Sequence, residues 1–290
     1  MRVLSGATVV LQDESDLTDA ERSDGWILGC CRAASSDVEL DVEDLTGLDL
    51  PKPRTLPCRI DAIDDVAPGV RRFVLRLPPS AQFAFLPGQH VDIIGPGGHR
   101  RSYSLAETNL KEGHLVLHVR QVPGGALSAY WFGAARKDDL LRLHGPKGTF
   151  VLRDVAGAEL VFLATGTGIA PITATLAQVA SLPPDVAPNS VQVIWGGRVS
   201  EDLYLDPGSI CPETQYTPTL SQAQSEWEGP REYVQDVLIS SSTDLSNTRV
   251  YACGSDRMIS AARAKLLAAG LPARAFYSDA FVSSAPNEPI

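Results

Sequence analysis

The chain has 290 residues, 44% of them hydrophobic, which is enough for two domains of ordinary size. Acidic residues outnumber basic ones by 35 to 25, and the net charge of −10 argues against a basic groove for nucleic acid. Every apolar run is far shorter than the ~20 residues of a membrane helix, and no signal-peptide core follows Met1, so we expect a cytoplasmic protein without membrane or nucleic-acid partners.

The first 50 residues form an opening segment of their own. Residues 13–24 are acidic and turn-rich, and residues 37–43 alternate with the period of two that is typical of a half-exposed strand. Two prolines within three residues follow Leu50 and favour an extended linker. We therefore place the first domain boundary at residue 50.

Residues 51–155 have the pattern of an antiparallel β-barrel. Short alternating apolar runs are separated by proline and glycine clusters at the spacing typical of such barrels. The sequence therefore predicts an all-β domain. The predicted strands lie at 72–77, 90–94, 115–120 and 139–143.

Residues 156–290 change to a rhythm of strand, glycine turn and helix. A helix follows the first strand to about Ser181, and a well-capped helix begins at Ser255 and runs to Gly270. This alternation is typical of a parallel sheet with helices on both faces, so we expect an α/β domain after the barrel. The predicted buried strands lie at 160–164, 191–195 and 249–252.

Two glycine turns are candidate anion sites. One is Gly166-Thr-Gly-Ile-Ala-Pro171, where small residues after a buried strand let the backbone approach a diphosphate at a helix N-terminus. The other is Gly124-Gly125 with Ser128, where backbone N–H groups and a hydroxyl open a second helix. A single glycine turn is weak support, because any tight turn in an open sheet needs glycine.

The segment from Arg100 to Ser104 indicates a flat ring bound beside these anion sites. A guanidinium here is suited to clamping a phosphate, Tyr103 to covering a ring, and Ser104 to donating a hydrogen bond to it. Taken alone, the segment also fits an exposed strand end with a half-buried tyrosine. Two anion sites flanking one aromatic side chain suit a flavin nucleotide.

Five motifs occur in a fixed order along the chain: Arg101-Ser-Tyr-Ser104, Gly125-Ala-Leu-Ser128, Gly166-Thr-Gly-Ile-Ala-Pro171, Gly196-Gly-Arg-Val-Ser-Glu-Asp-Leu-Tyr204 and Tyr251-Ala-Cys-Gly-Ser255. In this order they resemble the motifs of the ferredoxin-NADP reductase superfamily. Within it, the chain looks most like the iron-sulfur flavoprotein reductases, which include CDP-6-deoxy-3,4-glucoseen reductase and the reductase components of bacterial oxygenases. NAD(P)H-flavin reductases are simpler relatives.

The resemblance implies that FAD binds to the barrel at 51–155 and NAD(P)H to the domain at 156–290. The ring and phosphate of FAD would be held by Arg101, Ser102, Tyr103 and Ser104. Its ribityl and pyrophosphate part would be held by His118, Arg120, Gly124, Gly125 and Ser128. The nicotinamide cofactor would contact Thr165, Gly166, Thr167, Gly168, Pro171, Gly197, Arg198 and Gly254.

Cys253 and Ser104 are the residues that the resemblance implies nearest the reaction. Cys253 would lie beside the nicotinamide C4 and the flavin N5, where a small polarisable side chain permits close approach. A buried structural thiol is the alternative. Asp279 and Phe281 resemble the segment that packs near the flavin, although an aromatic residue at a strand end is commonly part of the core.

The implied activity is that of a flavoprotein reductase, in which hydride passes from NAD(P)H to FAD and electrons then go to an iron-sulfur cluster, a protein partner or a small acceptor. Two alternatives remain, a reductase of free flavin and a flavin-holding relay module without its own turnover. Gln222 stands where NADPH-preferring relatives commonly have a basic residue, and acidic residues follow it. We therefore expect NADH as the main donor with NADPH tolerated, and Arg198 is the candidate for a 2′-phosphate contact.

Residues 1–50 resemble the end of a plant-type [2Fe-2S] ferredoxin domain, in residues 17–22 and 25–30. Five scattered cysteines predict reduced thiols, and Cys30 fits the fourth cluster ligand, but no C-x₄-C-x₂-C triplet supplies the other three. We expect no complete cluster here. Either the upstream part of a longer natural protein is absent from this chain, or a natural reductase retains a cluster-free remnant. For a partial ferredoxin domain we expect a segment that is mobile or packed unlike the family's domain.

Overall fold

The computed structural model describes residues 1–14, 17, 19–43, 45, 47–108 and 113–281, apart from the side chain of Ala20. The chain divides into two compact units, Met1–Leu50 and Pro51–Ile290. The division falls at Leu50, beside the prolines of the predicted linker.

The described part of the N-terminal unit contains two small antiparallel sheets and a short helix. β1 pairs with β4, and β2 pairs with β3. The strands are β1 (Arg2–Ser5), β2 (Thr8–Val10), β3 (Arg32–Ala34) and β4 (Glu39–Asp41), and the helix is α1 (Asp19–Ser23). The alternating acidic segment at 37–43 thus contains a strand of three residues.

A buried carboxylate anchors this unit. Glu14 accepts hydrogen bonds from Arg32 Nε at 2.9 Å and Nη2 at 2.7 Å, and from the backbone N–H of Leu28 at 2.8 Å. The hydrogen bonds from Arg32 and Leu28 lower the pKa of Glu14. They connect the loop before α1 to β3. The expected mobility of this unit stays a prediction.

Six antiparallel strands form the first half of the second unit, in the order β8-β7-β10-β5-β6-β9. The edge strands β8 and β9 meet where Leu105 pairs with Leu117, so the sheet curls into the barrel expected from the sequence. The strands are β5 (Arg54–Ala67), β6 (Val70–Arg76), β7 (His90–Ile94), β8 (Arg100–Ser104), β9 (His114–Arg120) and β10 (Leu140–Lys147).

The four predicted barrel strands are confirmed as β6, β7, β9 and β10, whereas β5 and β8 were not predicted. β5 contains Pro57 and several aspartates, which obscure the alternation, yet it is paired on both sides by β10 and β6. β8 has Tyr103 as its one apolar side chain, and its pairing with β7 defines it. Tertiary pairing here overrides weak local propensity.

Five parallel strands form the second half, in the order β13-β12-β11-β14-β15. The strand order reverses between β11 and β14. The carboxyl ends of these two strands therefore form the topological switch point of the sheet. The strands are β11 (Glu159–Thr165), β12 (Ser190–Gly197), β13 (Thr214–Leu220), β14 (Thr248–Ser255) and β15 (Phe276–Phe281).

Helices cover both faces of this sheet, as predicted. Phe162 packs on one face in a cluster with Leu176 of α3, whereas Leu163 packs on the other face with Leu238 of α4 and Leu266 of α5. The helices are α2 (Ala126–Ala129), in the barrel half, and α3 (Ile169–Val179), α4 (Val234–Ser241) and α5 (Asp256–Ala268). None of the described helices has the length and apolar character needed to cross a membrane.

The predicted helix cap at Ser255 is confirmed. The Ser255 hydroxyl accepts a hydrogen bond from the backbone N–H of Met258 at 3.3 Å, and α5 ends at Ala268, just before Gly270 in the left-handed region. This cap places the start of α5 directly after β14. The carboxyl end of β14 is therefore held rigidly at the switch point.

A buried carboxylate joins three barrel strands. Asp92 of β7 is 5% exposed at its side chain and accepts hydrogen bonds from Arg100 Nη2 at 2.6 Å, Lys147 Nζ at 2.9 Å and Ser102 Oγ at 2.5 Å. Burial alone would raise the pKa of Asp92, but the hydrogen bonds from Ser102, Lys147 and Arg100 outweigh burial and lower it to about 2.

Asp92→Asn should lower the free energy of unfolding by about 2 kcal/mol near pH 7, because the stability carried by a depressed carboxyl pKa is present above its unfolded value of 3.8. That contribution disappears as the pH falls from 3.8 towards 2, so the variant and the parent protein should converge there. Urea unfolding at about pH 7 and about pH 2.5 measures both values. Asp185→Asn, at an exposed position, is the control, and an unchanged gap at low pH would contradict this role of Asp92.

Candidate functional site

The turn between β11 and α3 packs directly against the end of β14. Gly166–Gly168 forms one 3₁₀ turn before α3 begins at Ile169, and Gly166 has φ of +54°, a left-handed conformation that favours glycine. A Cβ on Gly168 would lie 2.1 Å from the carbonyl oxygen of Cys253. Only a residue without a side chain therefore allows the start of α3 to approach β14 this closely.

The ends of β11 and β14 interlock in the same way. A Cβ on Gly254 would lie 2.1 Å from Oγ1 of Thr165, so the hydroxyl of Thr165 occupies the space beside the glycine. Thr167 and Pro171 are buried within the same turn and the first turn of α3. The predicted dinucleotide residues of β11, α3 and β14 are thus brought together at the switch point, where α/β sheets bind ligands.

Cys253 and Asp279 lie next to each other at this edge, in register across β14 and β15. Burial raises the pKa of the Cys253 thiol well above its usual value, and the nearby Asp279 adds to the effect. Burial also raises the pKa of the Asp279 carboxyl, to about 6. The thiol is therefore neutral, and it is fully buried in this structure. Phe281 ends β15 and is 37% exposed.

Tyr103 has a fixed ring orientation in the barrel half. Its Oη accepts a hydrogen bond from Trp131 Nε1 at 2.8 Å, and the two rings meet edge to face at 5.9 Å. Burial raises the pKa of Tyr103 to about 12, so the phenol is neutral. Arg101 lies on the same face of β8 two residues earlier, and it is exposed.

The Ser102 side chain faces away from Tyr103, and its contact with FAD stays a prediction. Successive side chains of a strand point to opposite faces, and the Ser102 hydroxyl donates its hydrogen bond to Asp92 on the far side from Tyr103. Ser104 is buried at the carboxyl end of β8, directly after Tyr103. By the same alternation Ser104 falls on the Ser102 side of β8, so Arg101 and Tyr103 share one face and Ser104 is a candidate through its position at the strand end.

The residues after Ser104 pack on the α/β half. The carbonyl of Ala106 accepts a hydrogen bond from Thr173 Oγ1 of α3 at 2.5 Å, and Ala106 packs in one apolar cluster with Ala170 and the barrel residue Val116. α3 is the helix that follows the turn at Gly166–Gly168. The motif of β8 and the glycine turn of the other half therefore meet at one junction.

β9 also contacts the α/β half, through His118 and Arg120. His118 Nδ1 and Tyr204 Oη are hydrogen-bonded at 3.0 Å, and burial lowers the pKa of His118 to about 4, so the imidazole is neutral. Nη2 of Arg120 lies 3.3 Å from Oδ1 of Asp202. It also lies 3.3 Å from the position that a Cβ of Gly166 would occupy. Both predicted FAD residues of β9 thus face the nucleotide-binding half.

The second predicted anion turn is closed by Ser128. Its hydroxyl accepts a hydrogen bond from the backbone N–H of Val122 at 2.8 Å, and Gly124 has φ of +72°. α2 follows Gly125 and continues into one turn of π-helix over Tyr130–Ala134, which contains Trp131. This element therefore places the indole that orients Tyr103.

A cleft of about 180 Å³ lies at the ends of β12 and β13. Gly197 ends β12, and the backbone N–H of the exposed Arg198 donates a hydrogen bond to Asp202 Oδ2 at 2.8 Å. Because this end is at the same sheet edge as the glycine turn, a long ligand can cross from β14 to β13. The cleft is lined by Val199, Ser200, Leu220, Gln222, Gln224, Glu226 and Trp227.

The described residues contain no group of three His, Cys, Asp or Glu side chains that would hold a metal ion. Cys30 is exposed, and its Sγ lies 3.7 Å from Sγ of the buried Cys31. The fourth-ligand assignment of Cys30 stays a prediction.

Sequence reasoning missed the roles of Trp131, Tyr204 and Asp202. Trp131 follows the quoted glycine turn, and the other two lie within the quoted motif that ends at Tyr204, but no spacing rule connects them to Tyr103, His118 and Arg120. These pairs are 28, 86 and 82 residues apart in sequence. The available signal for these three roles was the presence of an aromatic or acidic residue within or directly after a recognised motif.

Gly168→Ala should lower the free energy of unfolding by about 2 kcal/mol, because a side chain there meets a backbone carbonyl that has no room to move. Thermal unfolding measures the loss. Gly133→Ala is the matched control, since a Cβ at that exposed glycine meets no atom within 4 Å. Equal stability of the two variants would show that the turn tolerates a side chain.

Two family profiles match the two halves of the second unit. The profile described as an oxidoreductase FAD-binding domain matches residues 57–152, and the one described as an oxidoreductase NAD-binding domain matches residues 162–264. The first covers the barrel and the second covers the parallel sheet from β11 to α5.

Relatives match nearly the whole chain. The CDP-6-deoxy-L-threo-D-glycero-4-hexulose-3-dehydrase reductase of Yersinia pseudotuberculosis is 37% identical, with 97% of this chain and 85% of that protein covered. The toluate 1,2-dioxygenase electron transfer component of Pseudomonas putida is 27% identical over 94% of this chain and 81% of its own length.

Solved structures show the same fold. The cytochrome P450 reductase GcoB of Amycolatopsis aligns with a TM-score of 0.75 and 26% identity, over 98% of this chain and 87% of that one. A ferredoxin NADP⁺ reductase from Neisseria gonorrhoeae aligns with a TM-score of 0.66 and 19% identity, over 78% and 98% of the two chains. With these matches on both halves and on the whole chain, the protein belongs to the FAD- and NAD-binding flavoprotein reductases of the ferredoxin-NADP reductase fold.

Proposed function

We propose that this flavoprotein reductase takes its electrons mainly from NADH and delivers them to an iron-sulfur protein. The observation that carries the proposal is the junction between the two halves, where Ala106 accepts a hydrogen bond from Thr173. This contact holds the end of β8, with Tyr103 and Ser104, against the helix that follows the glycine turn. A flavin ring bound to the barrel and a dinucleotide bound to the α/β half would meet at this junction.

The barrel residues fit a flavin. Tyr103 offers a neutral ring that Trp131 holds in place, and the exposed Arg101 offers a guanidinium for phosphate on the same face of β8. Gly125 and Ser128 form a tight turn at the start of α2. This turn lies close to the β7–β8 loop, since a Cβ on Gly95 of that loop would lie 2.3 Å from Leu127 of α2. We therefore assign Arg101, Tyr103, Ser104, Gly124, Gly125 and Ser128 to FAD.

The α/β residues fit a nicotinamide dinucleotide. Gly168 packs on the carbonyl of Cys253 at the point where the strand order reverses. The first turn of a helix such as α3 leaves backbone N–H groups for a ligand there. When bound, the nicotinamide supplies a hydride and the flavin accepts it and releases electrons singly. We assign Thr165, Gly166, Thr167, Gly168, Pro171, Gly197, Arg198 and Gly254 to the dinucleotide.

Cys253 and Asp279 have complementary roles at this edge. The thiol of Cys253 is small, polarisable and neutral, and it is buried beneath the strand end, so it adds no charge to the site. The Asp279 carboxyl holds its proton below about pH 6. We assign Phe281, at the end of β15, the role of excluding water from the same edge.

The cleft at the ends of β12 and β13 supports NADH as the preferred donor. Gln222 and Glu226 line it, and neither offers a positive charge to a 2′-phosphate. Arg198 lies at the same strand end, which leaves room for NADPH as a weaker donor.

The names of similar proteins support a protein as the electron acceptor. One relative is named as the reductase of a dehydrase and another as the electron transfer component of a dioxygenase, and both match over most of their length. By analogy we assign this chain a protein acceptor of that kind. Reduction of free flavin is the second candidate, which the simpler relatives of the family suggest.

The absorbance spectrum of the purified chain, loaded with FAD and titrated anaerobically, tests the proposed function. NADH should bleach the flavin band at low concentration, and NADPH should require more. Arg101→Ala should lose FAD at least about tenfold more readily on dilution, because a charged hydrogen bond to phosphate is lost. Arg142→Ala removes an equally exposed barrel arginine on the opposite face and is the control. A protein that retains no flavin absorbance after FAD is added and the unbound FAD is removed would refute the proposal.

Cys253→Ala should slow bleaching of the flavin band by about tenfold while ADP-ribose binds as before, because the thiol orients the reacting groups and does not bind phosphate. Stopped-flow absorbance measures the rate, and a titration measures binding. Cys211→Ala removes another buried thiol of the same hydrophobic cluster away from the strand end. If both variants lost rate equally, Cys253 would be a packing residue only.

A further inference from the structure

An interdomain ion pair lies at the glycine turn itself. The guanidinium of Arg120, which belongs to the barrel, reaches across to Asp202 of the α/β half, with Nη2 3.3 Å from Oδ1. Three of its atoms lie between 3.3 and 3.6 Å from the position of a Cβ on Gly166. The cation therefore occupies the space over the turn that Gly166 leaves open.

Asp202 is the fixed partner of this pair. Its carboxylate accepts hydrogen bonds from the backbone N–H groups of Arg198 at 2.8 Å and Val199 at 3.4 Å, and its side chain is 14% exposed. Burial would raise the pKa of Asp202, but these backbone hydrogen bonds and Arg120 outweigh it and lower the pKa. Arg120 is 38% exposed, and its long side chain has more freedom to move.

A phosphate at this turn would meet both charges. Phosphate oxygens at the start of α3 would lie beside the guanidinium of Arg120. A guanidinium pairs with a phosphate as readily as with a carboxylate. The same oxygens would be repelled by Asp202, which is held in place by the backbone. The guanidinium of Arg120 therefore cannot pair fully with Asp202 and with a bound diphosphate at the same time.

We propose that Asp202 is an internal competitor of the dinucleotide's diphosphate for Arg120, so that ligand binding exchanges one partner of the guanidinium for the other. The inference rests on the proposed function and moves Arg120 from the flavin set to the dinucleotide set. Asp202 then weakens binding of the dinucleotide and favours its release, whichever oxidation state the nicotinamide has. In the absence of ligand, the same carboxylate keeps Arg120 over the turn and compensates its charge.

The test is the affinity of FAD-loaded protein for ADP-ribose, a diphosphate ester that carries out no redox chemistry, measured by calorimetry. Asp202→Asn keeps an oxygen for the backbone N–H of Arg198 but removes the charge, and it should bind about 2- to 5-fold more tightly, the range of one partly exposed ion pair. The gain should shrink between about 0.05 M and about 0.5 M salt. Arg120→Ala should bind more weakly.

The double variant Arg120→Ala with Asp202→Asn separates competition from simple repulsion. Competition through Arg120 predicts that the gain from Asp202→Asn largely disappears in the Arg120→Ala background, and an undiminished gain would overturn the proposal. Tyr204→Phe is the matched control, because it removes a different polar contact between the halves, the hydrogen bond to His118, without changing charge. Tighter ADP-ribose binding by Tyr204→Phe would assign the effect to loosening of the interface instead.

The outcome also separates this proposal from the proposed function. If the parent protein holds FAD and binds ADP-ribose but Asp202→Asn leaves the affinity unchanged, the competition is absent and the reductase assignment stands. If the parent protein binds no ADP-ribose, the proposed dinucleotide site itself is wrong.

Discussion

The site depends on one backbone contact, the approach of Gly168 to the carbonyl of Cys253. A side chain at Gly168 would stand 2.1 Å from that oxygen, so the turn at the start of α3 and the end of β14 are in contact because glycine is present. This contact fixes how closely the start of α3 approaches the end of β14 at the switch point. It also places α3 so that Thr173 reaches Ala106 and connects the glycine turn to the barrel.

Charge is distributed unevenly at the junction. Cys253, Tyr103 and His118 are all neutral because burial disfavours their charged forms. Charged groups at the junction include the guanidinium of Arg120 and the carboxylate of Asp202, at the glycine turn, and the exposed guanidinium of Arg101 on β8. The Asp279 carboxyl beside Cys253 is also ionised above about pH 6. A neutral interior suits the transfer of a hydride, and cations at the rim suit phosphates.

The barrel shows how far the sequence pattern reaches. Strands with clear alternation, such as β6 and β9, were predicted within a residue or two, whereas β5 was missed because Pro57 and its aspartates hide the pattern. The parallel strand β15 was also missed, since its short sequence has no alternation of its own. Pairing with neighbouring strands, which no local pattern records, defines both.

The sequence by itself determined the two-domain class and the glycine turn before α3, because periodicity and residue type are local properties. Arg101 and Tyr103 were candidates by residue type, whereas Cys253 was a candidate only through the family resemblance. Only the tertiary structure decided that Ser102 faces Asp92, that Trp131 orients Tyr103 and that Arg120 pairs with Asp202. These contacts join residues from different strands and loops, and the twist and register of the folded sheets set which side chains meet. Distances between such residues are consequences of packing, so they exist only once the chain has folded.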